Sequence, residues 1–498
     1  MCFALFMIML DNTVVNVALP SIQRDLHASL QALEWTMNAY TLTFAVLLVT
    51  GGRLGDIFGR RRMFLFGVAV FGASSLAIGL APNDALLVAF RAVQGIGAAF
   101  MMPATLSIIT QAFPAEQRGT AIGTWAGVSA LALAIGPVIG GLLTEDVSWR
   151  AIFFINPPIA IAAVAVTLFA ARESRDETVG RSVDLAGIAA LTVGLTALVL
   201  ALVESNSWHW GSGRIIGLFA VAVLAIAAFV VIELRARAPM LDFSFFRSRT
   251  STGANIVAFL VTFAMFAQFF FMTLYMQNVL HYSPLQTGVR FLPATIVIII
   301  MGPLAGRLTD RVGPRPLMTL GLLLVSAALL SQSRLGVHSG YGVLLPGFIL
   351  MGLGMGLVMS PMSTAAMNAV DRTKSGAASG VLSMSRMVGG SVGLAVMGAL
   401  VATIGRSELD QSIPQVPAAA RAKLASALGS GAAPSGNHVT PQITSAVHHA
   451  FVSALGTGLQ VGAAVAFIGA LLTLWLIGRV RTQPVETQPQ QAPKALSV

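Results

Sequence analysis

Fourteen apolar stretches, each long enough to cross a bilayer, decide what this chain can become. They lie near residues 2–20, 35–54, 63–81, 84–111, 119–143, 150–171, 184–204, 214–234, 252–279, 287–305, 317–334, 342–367, 376–404 and 450–478. A span needs about 20 apolar residues, within a range of roughly 17–25. Inside hydrocarbon every backbone N–H and C=O must find a partner within the protein, so runs of this length fold as helices. Only 10% of the residues are charged, against about 25% in soluble domains, and mean hydropathy is +0.80. The expected fold class is an all-α polytopic membrane protein.

The basic residues test the order of the spans. With the first residue placed inside, 20 of the 30 Lys and Arg fall in inner segments and eight in outer ones, while Arg91 and Arg386 fall within helices. That excess fits the positive-inside rule, so both ends are expected in the cytoplasm and the polar segment 405–449 outside. The net charge of +10 is spread over short loops. A nucleic-acid partner needs a basic patch on a soluble surface, so none is expected. The opening MCFALFMIMLDNTVVNVALP has neither the basic flank nor the cleavage site of a signal peptide. It reads as a true first helix whose lead-in is short or missing. Cys2 is the single cysteine, so no intrachain disulfide forms. Residues 479–498, rich in Gln and Pro, are expected to be a disordered tail.

A long repeat runs through the chain. GGRLGDIFGRRR (51–62) returns as AGRLTDRVGPRP (305–316), with Gly52, Asp56 and Gly59 matching Gly306, Asp310 and Gly313. QGIGAAFMMP (94–103) returns as MGLGMGLVMSP (351–361), with Gly95 and Gly97 matching Gly352 and Gly354. In each half the Asp-bearing turn joins the second and third helices, and the Gly-Pro helix is the fourth. Both copies of the turn face the cytoplasm, so the halves are parallel repeats.

These stretches resemble the major facilitator superfamily. The first turn looks like its motif A, RAVQGIGAA (91–99) its motif B, and GTWAGVSALALAIGPVIGG (123–141) its motif C. LDNTVVNVALP (10–20) and WRAIFFINPP (149–158) resemble signatures of the fourteen-helix drug:proton antiporter branch. Ala132 stands where motif C usually has Gly, and Pro314 stands where the first motif A has Arg60. The resemblance implies two parallel six-helix bundles, 1–171 and 251–478, with two accessory helices within 172–250 between them. It also implies a secondary transporter working by alternating access, driven by a proton gradient and needing no cofactor. Its partners would be a lipophilic small molecule (cationic or neutral), protons and the lipid bilayer, with a monomer sufficient. Export of drugs is the first reading. Export of an endogenous metabolite, antibiotic or lipid is the alternative, and uptake by symport is less favoured.

Charges inside a bilayer are costly and mark function. Asp11 lies nine residues before Pro20, and Arg91 eight after Asn83, so both sit about 12–13 Å from the outer end of their helices. They could pair if the first and fourth helices face one cavity. Burial favours the neutral carboxyl and a guanidinium favours the carboxylate, a balance suited to taking up and releasing a proton. Arg386, about 16 Å into the thirteenth helix, is a further candidate for coupling or for the central cavity. Asn12, Asn16, Gln94, Gln268, Gln277 and Asn278 are candidates to line that cavity.

In motif A, the resemblance implies a conformational latch formed by Gly52, Asp56, Gly59, Arg60 and Arg61, with Asp310 and Gly313 in the second copy. Asp56 is expected near a helix N-terminus, and Arg60, Arg61 and Arg62 at lipid headgroups. In motif C, Gly123, Gly136, Pro137, Gly140 and Gly141 would give a closely packed, bendable helix. Glu34, Glu145 and Glu204 are expected to face water and Asp184 to cap a helix. His448 and His449 lack the company a metal requires. The chain shows no GxxxxGK[ST] nucleotide loop and no polar catalytic cluster, so ATP-driven transport and enzyme activity are not expected.

Overall fold

The computed structural model describes residues 1–112, 128, 131–132, 135–175, 184–205, 208–236, 239, 243–370, 375–417, 424 and 441–478. Among them, thirteen helices are long and apolar enough to cross a membrane. In chain order the helices are α1 (Cys2–Leu26), α2 (Leu30–Phe58), α3 (Arg60–Gly79), α4 (Asp84–Ala112), α5 (described over 135–146), α6 (Ala151–Ala170) and α7 (Leu185–Glu204). Then come α8 (Gly213–Arg235), α9 (Arg249–Leu274), α10 (Pro284–Val312), α11 (Pro314–Gln332), α12 (Tyr341–Asn368), α13 (Ser375–Ser412) and α14 (Pro441–Leu476). A π-helical turn, Tyr275–Val279, prolongs α9. No strand occurs among the described residues.

Several helices outrun the apolar runs that announced them. α1 passes through Pro20 and ends at Leu26, where His27 takes the left-handed conformation. α2 begins at Leu30, its first turn closed by Ser29, whose hydroxyl accepts from the Ala32 N–H. α13 continues to Ser412 and α14 starts at Pro441, so the ends of segment 405–449 are helical rather than loop. Hydropathy marks the width of the bilayer, whereas hydrogen bonding carries a helix on into water. The tail 479–498 lies outside the described residues.

The duplication holds at the level of single atoms. A Cβ on Gly95 would meet the Tyr40 carbonyl, and one on Gly352 would meet the carbonyl of Ala294, Tyr40's counterpart 254 positions on. Gly97 stands in the same relation to the Gly67 carbonyl, at 2.8 Å, as Gly354 does to that of Gly321, at 2.6 Å. Helix pairs repeat accordingly. α4 packs on α2 and α3, and α12 packs on α10 and α11. Small residues at these crossings let the backbones approach closely. α7 and α8 form a hairpin, and α7 leans on both α2 and α13, touching one helix of each half.

Each half makes its motif A turn with a single residue. Gly59 (φ 114°) separates α2 from α3, and Gly313 (φ 80°) separates α10 from α11. Only glycine takes such angles without strain.

Candidate transport site

The first half holds its charges in a closed polar cluster. Asp11 and Arg91 both have no exposed side-chain surface and pair at 2.5 Å. The Arg91 guanidinium also donates to the Gln94 side-chain oxygen at 2.6 Å and, through Nε, to the Thr36 carbonyl at 2.9 Å. Gln94 Nε2 donates to the other Asp11 oxygen at 3.0 Å. The guanidinium carbon stands 4.3 Å from the centre of the Tyr40 ring, whose face attracts a cation. Beyond Gln94, the Ser75 hydroxyl accepts from Asn156 at 2.8 Å and donates to the Phe153 carbonyl at 3.0 Å. Five helices, α1, α2, α3, α4 and α6, meet here.

Such a cluster offsets much of the cost of burial, with Arg91 Nη2 left without an acceptor. An ion pair removed from water is tolerated when further hydrogen bonds satisfy both ions. Asp11 and Arg91, read from sequence as a possible pair, are therefore brought together, and Gln94 joins them. Tyr40, Ser75 and Asn156 were missed. Asn156 falls within WRAIFFINPP and Ser75 within a Ser-Ser pair in an apolar helix, and those were the available signals.

The other candidates fall elsewhere. Asn12 and Asn16 are half-buried, and each amide donates back along α1, to Ile8 and Asn12 respectively. Gln268 and Gln332 form a buried amide pair at 2.5 Å inside the second half. Gln277 donates to the Val17 carbonyl at 2.8 Å and so ties α9 to α1. Asn278 is half-buried at the end of the π-helical turn. Arg386 forms no ion pair among the described residues, and its Nε is buried without an acceptor.

Motif C packs on two partners. Gly136 and Gly140 lie against Thr13 and Val14 of α1. Gly141 lies against Leu285 at the start of α10, and Gly288 of α10 lies against the Pro137 carbonyl. Glu145 accepts from the Leu285 N–H at 3.0 Å, closing the first turn of α10 while remaining exposed. The motif thus joins the two halves between α1 and the start of α10. Gly123 lies outside the described residues.

Motif A departs from expectation. Among the described residues Asp56 accepts from Arg60, at 2.7 and 2.9 Å, rather than from a helix N-terminus. The N-terminus of α3 is taken by Glu173, which accepts from the Arg61 and Arg62 N–H groups at 3.0 and 3.2 Å, while the Arg60 N–H donates to the Ser174 carbonyl. Of the three arginines only Arg62 stays largely open, since the Arg61 side chain donates to the Leu168 carbonyl. Gly52 packs on Pro103. In the second copy Asp310 is exposed. Glu34 is a further correction. It is 2% exposed, and its carboxylate is enclosed against Gly398 of α13, because α2 begins a turn before its apolar run. Asp184 caps α7 as expected, accepting from the Gly187 N–H at 2.7 Å. Where the C-terminal end of α1 meets the start of α6, Asp25 binds both Trp149 and Arg150.

A parallel duplicated bundle with a buried charge pair is the arrangement of a secondary transporter, and comparison fixes the family. The chain belongs to the Major Facilitator Superfamily, whose model matches residues 1–394. It is therefore a multi-pass membrane transporter of small molecules and not an enzyme. It is 37% identical to a tetracenomycin C resistance and export protein of Streptomyces glaucescens, over 98% of this chain and 92% of that protein. It is 40% identical to the puromycin resistance protein of Streptomyces alboniger, over 79% of each. Among solved structures it is similar to an inward-facing bacterial homologue of the human lysosomal transporter Spinster. The TM-score is 0.61 at 16% identity, over 96% of each chain.

Proposed function

We propose that the protein exports lipophilic small molecules from the cytoplasm across the cytoplasmic membrane, in exchange for protons, by alternating access between its two halves. The observation that carries this reading is the closed Asp11–Arg91–Gln94 cluster. It holds a carboxylate buried inside the first half, whose helices α1, α2 and α5 meet the second half. Protonation of Asp11 would release Arg91 and Gln94 and loosen α1 from α4. Deprotonation would draw them together again. The relatives named above are resistance and export proteins, which favours export over uptake. Both chain ends would lie in the cytoplasm, no cofactor would be needed, and one copy would suffice.

Everted vesicles test this. With an acidic lumen, wild type should accumulate a lipophilic dye and lose it on adding a protonophore. Asp11→Asn should cut that accumulation at least about tenfold while still binding dye. Full gradient-driven accumulation by Asp11→Asn would move coupling away from this residue.

The tetracenomycin relative, matched over nearly its whole length, supports a second reading, in which the cargo is one antibiotic or metabolite rather than many drugs. Growth inhibition across chemically unrelated compounds separates the two. Broad protection fits the first reading and protection against one class fits the second.

A further inference from the structure

The charges at mid-membrane do not balance. α2 provides a depth scale. Gly380 of α13 faces Val49, and Gly398 faces Glu34. Arg386 lies between them, near the level of Phe44 and about one turn from Tyr40, over which Arg91 stands. Two guanidinium groups therefore share this level with one carboxylate, Asp11, which is fully engaged by Arg91 and Gln94. From residue 243 to residue 407 the chain carries only two acids, Asp310 and Asp371. Asp310 sits at the last turn of α10, and Asp371, fifteen positions before Arg386 in the sequence, lies outside the described residues. Glu34 faces Gly398, twelve residues up α13, about 18 Å away. The α5 residues outside the described set, 119–134, include no charged side chain.

Arg386 is not turned to lipid. Snorkelling serves basic residues near helix ends, and Arg386 is the twelfth residue of a 38-residue helix. It lies deep inside the bundle, yet the residue keeps accessible surface. Met387 beside it packs on the core of the first half, and the Phe266 ring stands against Gly390, one turn along the same face. Arg386 thus sits half-buried in a stretch of α13 whose neighbours are aromatic and thioether groups.

We propose that Arg386 is the counter-ion for the cargo, and that the cargo is a lipophilic acid, an aromatic or conjugated body bearing a carboxylate or phenolate. This rests on the export reading above and narrows its substrate class, replacing the cationic cargo expected from sequence. A bidentate carboxylate matches the guanidinium fork. It would bring the mid-membrane charge to zero in the loaded state. A cationic cargo would leave three positive charges facing one negative one.

Two dyes with a common xanthene core test this on the purified full chain in nanodiscs, by fluorescence anisotropy at neutral pH: anionic fluorescein and a cationic rhodamine methyl ester. Wild type should bind fluorescein at least about tenfold more tightly than the rhodamine. Arg386→Met should remove that preference, and Arg386→Lys should retain part of it. Equal or tighter binding of the rhodamine by wild type, binding of neither dye, or an unchanged fluorescein affinity in Arg386→Met would each overturn the proposal. Wild-type dye preference carries the test even if Arg386→Met fails to fold. Gradient-driven export of the rhodamine by wild type and Arg386→Met alike would overturn this assignment and leave proton-coupled export standing. Anion-selective binding without gradient-driven transport would do the reverse.

Discussion

The two halves share a backbone plan and differ in what fills its centre. At the fourth helix of the first half stand Arg91 and Gln94. At the matching positions of the second stand Phe348 and Met351, both fully buried. Tyr40, which supports the guanidinium, is matched by Ala294. Phe348 lies 5.1 Å from the ring centre of Phe291, itself 5.0 Å from Phe269. One half is thus centred on an ion pair and its hydrogen bonds, the other on packed aromatic rings. The proposed exchange for protons would place the switch in the first half alone.

The first way to break the comparison is to remove the cation. Arg91→Met leaves Asp11 buried and unpaired, which should destabilise the protein by about 3–5 kcal/mol and abolish coupled transport. Adding Asp11→Asn should restore much of the stability and none of the coupling. Thermal unfolding in detergent, alongside vesicle transport, reads both, and a single variant as stable as wild type would refute the account. Phe348→Ala at the matching position should also cost about 3–5 kcal/mol, through the cavity it leaves. It should do so without altering the dependence of transport on the proton gradient.

The motif A turns give smaller and more pointed tests. Gly59→Ala and Gly313→Ala each force a side chain into a conformation suited to glycine, at about 1–3 kcal/mol. At Gly59 the added Cβ would also lie 2.6 Å from a Glu173 oxygen. Part of the Gly59→Ala loss should therefore vanish in a Glu173→Ala background, and a full loss there would contradict the contact. The two copies also finish their helices differently. The first satisfies the free N–H groups of α3 with Glu173 and Ser174. The second places Pro314 and Pro316 in the first turn of α11, where proline has no N–H to satisfy. Glu173→Ala should therefore cost about 1 kcal/mol. Pro314→Ala, the mildest change, should cost under about 1 kcal/mol.

Much of this was legible in the sequence, for definite reasons. Apolar runs give the spans because hydrocarbon tolerates little else. The repeat is legible because close helix crossings require glycine at the same places twice. Asp11 and Arg91 stand out because a charge in an apolar helix is rare. Residues that complete the cluster without charge do not stand out. Ser75, Tyr40 and Asn156 pass as ordinary members of apolar helices, and only the fold shows what they face. Glu173 was invisible because its partners lie more than 100 positions earlier in the chain. Glu34 was misread because helix ends do not coincide with hydropathy ends. Arg386 was visible as a charge, but that it has no ion-pair partner among the described residues emerges only from the fold.

The single-residue turns at Gly59 and Gly313 also have a mechanical consequence. A joint of one residue holds no slack, so a tilt of α2 must carry α3 with it, and a tilt of α10 must carry α11. Glu173, bonded to the Arg61 and Arg62 N–H groups, ties the end of α6 to the Gly59 joint, so α6 is coupled to any tilt of the first pair.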